Sequence, residues 1–277
     1  MSSLILSGIA IYPVKSLAGL ELSEAVVGER GFLFDRHWMV VDDRGVFLTQ
    51  RELPRMALIQ PALNKNGLEL HAEGQAPLYL PFEPDAPEPL DVQIWNDRCQ
   101  AMTCGEAADR WLASVLGRPA RLVYLPPENV RHLDPEYARP DDETGFADGF
   151  PFLLISEASL ADLNSRLDER LPMRRFRPNL VITGCGPYAE DTWGRIRIGN
   201  IGFRVVKPCS RCAITTVNPE TAERGKEPLT TLARYRRRGK KVYFGQNLIH
   251  DTTGVLNIGD PVEILEAGLP ESFDPPA

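Results

Sequence analysis

The chain has 277 residues, of which 43% are hydrophobic and 25% charged, and its formal net charge is −7. This is the composition of an ordinary globular protein, and the length favours two domains over one. The acidic balance argues against broad nucleic-acid binding, which needs a basic surface, and no apolar segment is long enough to span a bilayer.

The first hundred residues predict a β-rich unit, because short apolar runs alternate with turn signals. Asp43–Gly45 and Asn64–Gly67 suit hairpin turns. A helix is predicted over 106–116, where apolar residues share one face and Gly117 supplies a C-terminal cap. The proline-rich, acidic stretch 126–149 is too long and polar for a tight connection, so it predicts a linker or a functional loop.

The second half begins with a buried strand over 150–156, "FPFLLIS", that runs into a helix capped by Ser156. Further strands are predicted over 179–183, 195–208 and 255–265. One more helix is expected at about 229–238, and the tail from Gly268 is expected to fray.

The N-terminus lacks a basic region and a cleavage site, and it alternates like a strand, so we interpret it as part of the fold. A cytoplasmic location is the resulting expectation. The five cysteines are an odd number, which makes a disulfide framework improbable.

Cys209 and Cys212 form the C-x-x-C of "KPCSRC", a spacing that is weak by itself. It fits a zinc site completed by Cys99 and Cys104, a redox disulfide, or two buried structural cysteines. The following "CAITTVNP" reads as a strand, which argues against a thioredoxin-like motif. Arg211 favours a reactive or metal-binding thiolate, because a guanidinium lowers a thiol pKa.

Basic residues recur in three other motifs: Lys15 and Ser16 in "YPVKS", Arg36 in "DRHW", and the arginines of "RRFRPNL". Each could be a solvated surface charge, and each could bind a phosphate or carboxylate. Asp35 can orient Arg36. The four histidines form no metal-ligand spacing.

These motifs, with "FRPNLVITG", "CSRCAITTVNPETAE", "FGQNL" and "IGDPVEI", resemble in order the MOSC-domain molybdenum enzymes. The resemblance is strongest to the amidoxime-reducing components of mitochondria and to bacterial reductases of N-hydroxylated bases. It implies an α+β, predominantly β fold. A MOSC N-terminal β-barrel domain, 1–124, would pack on a cofactor-binding MOSC β-barrel domain, 125–277, with a few peripheral helices.

The resemblance also implies a molybdenum cofactor, Mo-molybdopterin, with Cys212 as the catalytic residue and metal ligand. Cys209 would then be a supporting residue. The residues that would bind the cofactor are Lys15, Ser16, Arg36, Ser156, Arg177, Asn179, Ser210, Arg211 and, as a weaker transfer, Asn247. Asn218 and Ala222 stand where relatives often carry aspartate and glycine, so the turn after the ligand loop is expected to differ slightly.

The activity implied by the resemblance is reduction of N-hydroxylated or N-oxygenated compounds, such as hydroxylamines, amidoximes and N-hydroxylated bases, to amines. The cysteines lack iron–sulfur spacing, so electrons would come from a separate flavin, haem or iron–sulfur protein. No pyridoxal phosphate, nucleic acid or membrane is expected to take part. The alternatives are a carrier of the molybdenum cofactor or of a persulfide on Cys212, and a zinc-stabilised binding module.

Overall fold

The computed structural model describes residues 3–268 and 272–274, and in these ranges the chain is mostly β with three α-helices. The elements before residue 125 are β1 (Ile5–Ile11), β2 (Leu20–Leu22), β3 (Glu24–Gly28), β4 (Gly31–Phe32), β5 (Trp38–Val41), β6 (Gln60–Asn64), β7 (Gly67–His71), β8 (Leu78–Pro81), β9 (Pro89–Ile94), β10 (Asp97–Thr103), α1 (Glu106–Leu116) and β11 (Arg121–Tyr124). The later elements are β12 (Phe152–Ser156), α2 (Glu157–Asn164), β13 (Leu180–Thr183), β14 (Trp193–Ile198), β15 (Ile201–Arg211), α3 (Leu229–Leu232), β16 (Arg237–Arg238), β17 (Lys241–His250), β18 (Gly254–Asn257) and β19 (Val262–Ala267).

The local signals in the sequence predicted several element ends correctly. Helix α1 ends at Gly117, whose φ of 71° is left-handed and whose N–H donates to the carbonyl of Ala113. Helix α2 is capped by Ser156, whose hydroxyl accepts the N–H of Ser159 at 3.1 Å. Residues Asn64 and Gly67 pair across the β6–β7 hairpin, as expected.

Two expectations about the second half were wrong. The helix expected over 229–238 stops at Leu232, because Arg237 and Arg238 pair with β17 instead. Basic residues three and four positions apart also repel each other along a helix. Residues Ala213–Thr216 form a 3₁₀ turn rather than a strand, since both threonine hydroxyls donate to carbonyls three residues back.

The strands form four sheets, and the largest joins the two ends of the chain. Its order is β19-β14-β15-β17-β12-β13-β1-β2, with β16 pairing with β17. Strand β1 runs antiparallel to β13, and β3 pairs with β18 in a separate sheet with β4. The other two sheets, β5-β11-β10-β9 and β6-β7-β8, belong to the first half. Strands β1, β2 and β3 are therefore built into sheets that contain strands of the second half.

Separate apolar clusters fill these layers. One lies under the large sheet around Phe152 and Phe203, and a second packs α1 against the N-terminal sheets around Trp38. A third surrounds Phe176 and Phe244, next to α2. No helix among the described residues has the length and apolar character needed to cross a membrane.

Candidate functional site

A cavity of about 280 Å³ lies where loops of the first half meet the end of β15. It brings together residues that are far apart in sequence, including nine of the ten predicted site residues: Lys15, Ser16, Arg36, Arg177, Asn179, Ser210, Arg211, Cys212 and Asn247. The end of the acidic stretch, Ala147–Phe150, also lines it. The end of the segment 126–149 thus forms part of the cavity wall, and its role as a functional loop stays a prediction.

The shape of β15 places the C-x-x-C sequence at the cavity. The strand's pairing with β17 is irregular between Val205 and Lys207, and again between Pro208 and Ser210. Such bulges turn side chains to new directions. Cys212 follows in extended conformation at the start of the 3₁₀ turn, and its carbonyl accepts the N–H of Thr215.

The two cysteines have different surroundings. The Sγ of Cys209 lies 3.0 Å from the Nη1 of Arg211, and its side chain packs against the Phe176 cluster. Arg211 also donates to the carbonyl of Phe176 at 2.5 Å. The sulfur of Cys212 makes no hydrogen bond to a residue in the described ranges and lines the cavity. Both cysteines line the cavity, but Arg211 is directed at Cys209, so Cys212 is the one whose thiol is left without a hydrogen bond in the described ranges.

The turn after Cys212 accommodates both departures from the family pattern. The Asn218 side-chain oxygen accepts the N–H of Glu220 at 2.9 Å, as a carboxylate could. Ala222 has a φ of 60°, the left-handed region that favours glycine. The turn closes through hydrogen bonds that join Asn218 to Glu223 and Ala222.

Tyr12 organises two of the cavity's arginines. Its ring lies between the guanidinium groups of Arg36 and Arg177, whose central carbons are 4.3 and 4.1 Å from the ring centroid. Burial raises the pKa of Tyr12 to about 12, so its hydroxyl stays neutral and donates to the Pro178 carbonyl. Asp35 bonds Arg36 through both carboxylate oxygens, as the sequence predicted.

Lys15 is 5% exposed and is held by the acidic loop. Its ammonium donates to the carbonyl of Phe146 at 2.7 Å and to the carboxylate of Asp148 at 2.5 Å. Burial lowers the pKa of Lys15, and Asp148 opposes that shift. Burial alone would raise the pKa of Asp148, but the charge and hydrogen bond of Lys15 lower it overall. The acidic loop is therefore held at the cavity by the ion pair between Asp148 and Lys15.

Three cavity residues have left-handed backbones without being glycine: Ser16, Arg36 and Arg177, with φ of 67°, 47° and 57°. Such conformations are costly and are retained when surrounding contacts impose them. Long-range hydrogen bonds fix all three, since Gln50 donates to the carbonyl of Ser16, Phe146 to that of Arg36, and Arg177 itself to Leu17.

The remaining predicted residues have partly structural roles. Asn179 lies at the cavity, but its amide bonds Arg36, Leu153 and the Ala10 carbonyl. Asn247 donates to the carbonyl of Lys207. Ser156 is fully buried and does not line the cavity; its hydroxyl caps α2 and contacts Ser159.

Sequence reasoning did not assign Tyr12, Arg51, Asp148 and Lys207 to the site. Arg51 and Lys207 line the cavity, and Arg51 stacks on Trp95 at 3.9 Å. The only feature of the sequence that could have indicated Lys207 is its position two residues before Cys209. Nothing local distinguishes Asp148 from the other acids of its loop, because its role depends on reaching Lys15, 133 residues away.

The cavity has the chemistry of an anion site with two thiols, Cys209 and Cys212, in its lining. Six basic residues line it, namely Lys15, Arg36, Arg51, Arg177, Lys207 and Arg211, against a single acidic residue, Asp148. The Nε of Arg211 is buried and has no hydrogen-bond partner among the described residues. Buried donors are normally satisfied, so this cavity fits a phosphate-bearing cofactor whose metal takes a thiolate.

Zinc does not fit in the same way. Within residues 3–268 and 272–274, no three His, Cys, Asp or Glu side chains come together to hold a metal ion. Structural zinc needs four such ligands. All five cysteines are free thiols, and Cys104 is buried in the core.

A larger cleft of about 1060 Å³ adjoins the cavity and shares Arg177 and Ile214 with it. Its walls come from β1, β2 and α2, and it contains no cysteine. The chemistry described above therefore belongs to the smaller cavity.

Comparison with known proteins gives matches over nearly the whole chain. Residues 3–119 match the MOSC N-terminal beta barrel domain, and residues 141–263 match the MOSC domain. The chain is 40% identical to mitochondrial amidoxime-reducing component 1 of Mus musculus over 277 residues, covering 92% of this chain and 80% of that protein. The Homo sapiens protein of that name is 40% identical over 273 residues, covering 92% and 81%. The molybdenum cofactor sulfurase of Danio rerio is 36% identical over 289 residues, which cover 93% of this chain and 34% of that protein.

Proposed function

Because this chain belongs to the MOSC-domain family that carries an N-terminal MOSC beta barrel, we propose that it is a molybdenum cofactor-dependent oxidoreductase. Its substrates would be N-hydroxylated or N-oxygenated compounds, which it reduces to amines. The names of the amidoxime-reducing relatives support this reaction class. The observation that carries the proposal is the free Cys212 thiol in a cavity with six basic side chains.

The residues present define how the cofactor would be held. Cys212 would supply the thiolate ligand, and Lys15, Arg36, Arg177 and Arg211 would neutralise the cofactor's phosphate. Burial lowers the pKa of Arg177 to about 10, which still leaves it charged at neutral pH. When bound, the cofactor supplies the two-electron chemistry that breaks the N–O bond.

The chain's own residues would form the wall of the cavity and position the substrate in it. Reduction of a hydroxylamine consumes two electrons and two protons and releases an amine and water. Residues Phe150 and Phe152 line the cavity together with the Lys15–Asp148 pair, so its wall has both apolar and charged parts. Arg51, held against the Trp95 ring, keeps further N–H donors near the same cavity. We assign Arg51 and Trp95 the role of orienting the substrate.

Two further parts of the proposal follow from chemistry. Electrons would come from a separate flavin, haem or iron–sulfur protein, one at a time. The five free thiols suit a reducing compartment, and we propose that the protein acts in the cytoplasm.

A matched pair of cysteine variants tests the proposal. Protein purified from cells that make the cofactor should contain molybdenum rather than zinc, and should consume a hydroxylamine or amidoxime when given a viologen reductant. We expect Cys212→Ala to lose both molybdenum and turnover, and Cys209→Ala to keep measurable amounts of each. No turnover of any substrate in a panel of hydroxylamines and amidoximes would refute the activity, and full activity in Cys212→Ala would refute the ligand assignment.

A second candidate is a carrier that holds the cofactor, or a persulfide on Cys212, for delivery to another enzyme. The similarity to a protein named molybdenum cofactor sulfurase supports this candidate. A carrier would restore activity to an apo-enzyme on mixing. Catalytic turnover without any acceptor protein would argue against it.

A further inference from the structure

A basic hairpin lies beside the site in this acidic protein. Residues 234–241, "RYRRRGKK", contain six of the chain's 31 basic residues and no acidic one, while the net charge of the chain is −7. We call this segment the basic hairpin, since β16 and the start of β17 form its two strands. Arg234, Arg238, Lys240 and Lys241 are exposed. Sequence reasoning assigned this segment only to a helix.

Strand register fixes the distance from the hairpin to the candidate metal ligand. Val242 pairs with Arg237 on one side and with Arg211 on the other. Neighbouring strands lie about 4.8 Å apart, so the backbones of Arg237 and Arg211 are about 10 Å apart. Cys212 is the next residue after Arg211. A protein bound on the hairpin would therefore lie close to the cavity.

The hairpin is anchored, so its charges have a defined position. Arg236 is 5% exposed and pairs with the Asp191 carboxylate at 2.6 Å. Its guanidinium also stacks on Tyr188 and on Phe273 of the C-terminal tail. The exposed positions differ from this anchor, because Arg234, Lys240 and Lys241 form no ion pair with any residue of the described ranges.

We propose that the basic hairpin is the docking surface for an acidic one-electron carrier protein, a proposal that rests on the proposed function. A local cluster of like charge steers and orients a partner of opposite sign, and it matters more when the rest of the surface repels that partner. Two encounters with reduced carrier deliver the two electrons that one N–O bond requires, and water supplies the two protons.

The test uses binding as well as turnover. The variant Arg234→Glu/Lys240→Glu/Lys241→Glu reverses three exposed charges, and Lys65→Glu/Arg98→Glu/Arg118→Glu reverses three exposed charges elsewhere as the matched control. Affinity for an acidic flavodoxin, a plant-type ferredoxin and a soluble b-type haem protein is measured by calorimetry at 50 mM and 0.5 M salt. Turnover is measured with each carrier and with a reduced viologen.

We expect at least one carrier to bind, and the hairpin variant to weaken its Kd more than tenfold at 50 mM salt. The difference should fall below about twofold at 0.5 M salt, where the screening length is about 4 Å. Viologen-driven turnover should change less than twofold, and the control variant should bind like wild type.

Three results would overturn the docking proposal: no carrier binds, both triple variants weaken binding equally, or the hairpin variant loses affinity only for nucleic acid or anionic vesicles. None of these depends on catalysis. Failure of viologen-driven turnover alone would instead refute the proposed function, because carrier binding is measured without it.

Discussion

Replacing Tyr12 tests how the site holds its arginines. Tyr12→Leu removes the ring that lies between Arg36 and Arg177 at 4.3 and 4.1 Å. A buried cation–π contact is worth about 1–2 kcal/mol, so the two together contribute about 2–4 kcal/mol. The lost hydroxyl bond to Pro178, at 3.2 Å, adds about 1 kcal/mol. We expect the free energy of unfolding to fall by about 3–5 kcal/mol.

Tyr12→Phe is the matched control, because it keeps the ring and loses only the hydroxyl. We expect it to cost about 1 kcal/mol. Urea unfolding gives the stabilities, and molybdenum content per protein reports whether the arginines still hold the cofactor. Tyr12→Leu should lose molybdenum and Tyr12→Phe should retain it. Equal stability and equal molybdenum content in the two variants would refute the role of the ring.

Three other predictions concern single residues. Ala222→Gly should raise the urea midpoint by the equivalent of about 0.5–1 kcal/mol, because it relieves a left-handed alanine at some cost in unfolded-chain entropy; a lower midpoint would contradict this. Burial lowers the pKa of His37 to about 4 from 6.5, so the unfolded chain binds more protons between these values and stability should fall by about 3 kcal/mol as pH drops from 6.5 to 4. This component should vanish in His37→Phe but persist in the control His71→Phe, as measured by urea unfolding across pH. Ser156→Ala should cost about 1 kcal/mol as a lost helix cap and leave molybdenum content unchanged; loss of molybdenum would instead support its role as a cofactor ligand.

The parts of the fold that could be predicted are those in which residues close together in sequence determine where an element begins or ends. Gly117 and Ser156 end and begin helices through contacts within four residues, and both were predicted correctly. The predominantly β fold is confirmed. The domain boundary at residue 124 stays a prediction, since the matched family ranges leave residues 120–140 unassigned. The interleaving of β1 with β13 could not be foreseen, because it depends on pairing across about 170 residues.

The candidate site divides in the same way. The resemblance of the motifs predicted ten site residues, and nine of them line one cavity. The tenth is Ser156, whose hydroxyl the fold uses within its own helix. Arg211 was expected to favour a reactive thiolate, but the sequence did not say at which of the two cysteines; its guanidinium reaches Cys209, just after a bulge between Pro208 and Ser210. Bulges depend on the partner strand, so the sequence of β15 alone does not contain this information.

The left-handed residues explain why the cavity depends on the whole fold. Holding Ser16, Arg36 and Arg177 at positive φ costs about 1–2 kcal/mol each, and no local sequence signal offsets that cost. The stabilising hydrogen bonds come from Gln50, Phe146 and Leu17, which lie in other segments of the chain. The basic side chains are therefore positioned by folding itself, before any ligand arrives. A cofactor that binds this cavity avoids most of the entropic cost of ordering the cavity's arginines, and this gain in binding free energy offsets the backbone strain.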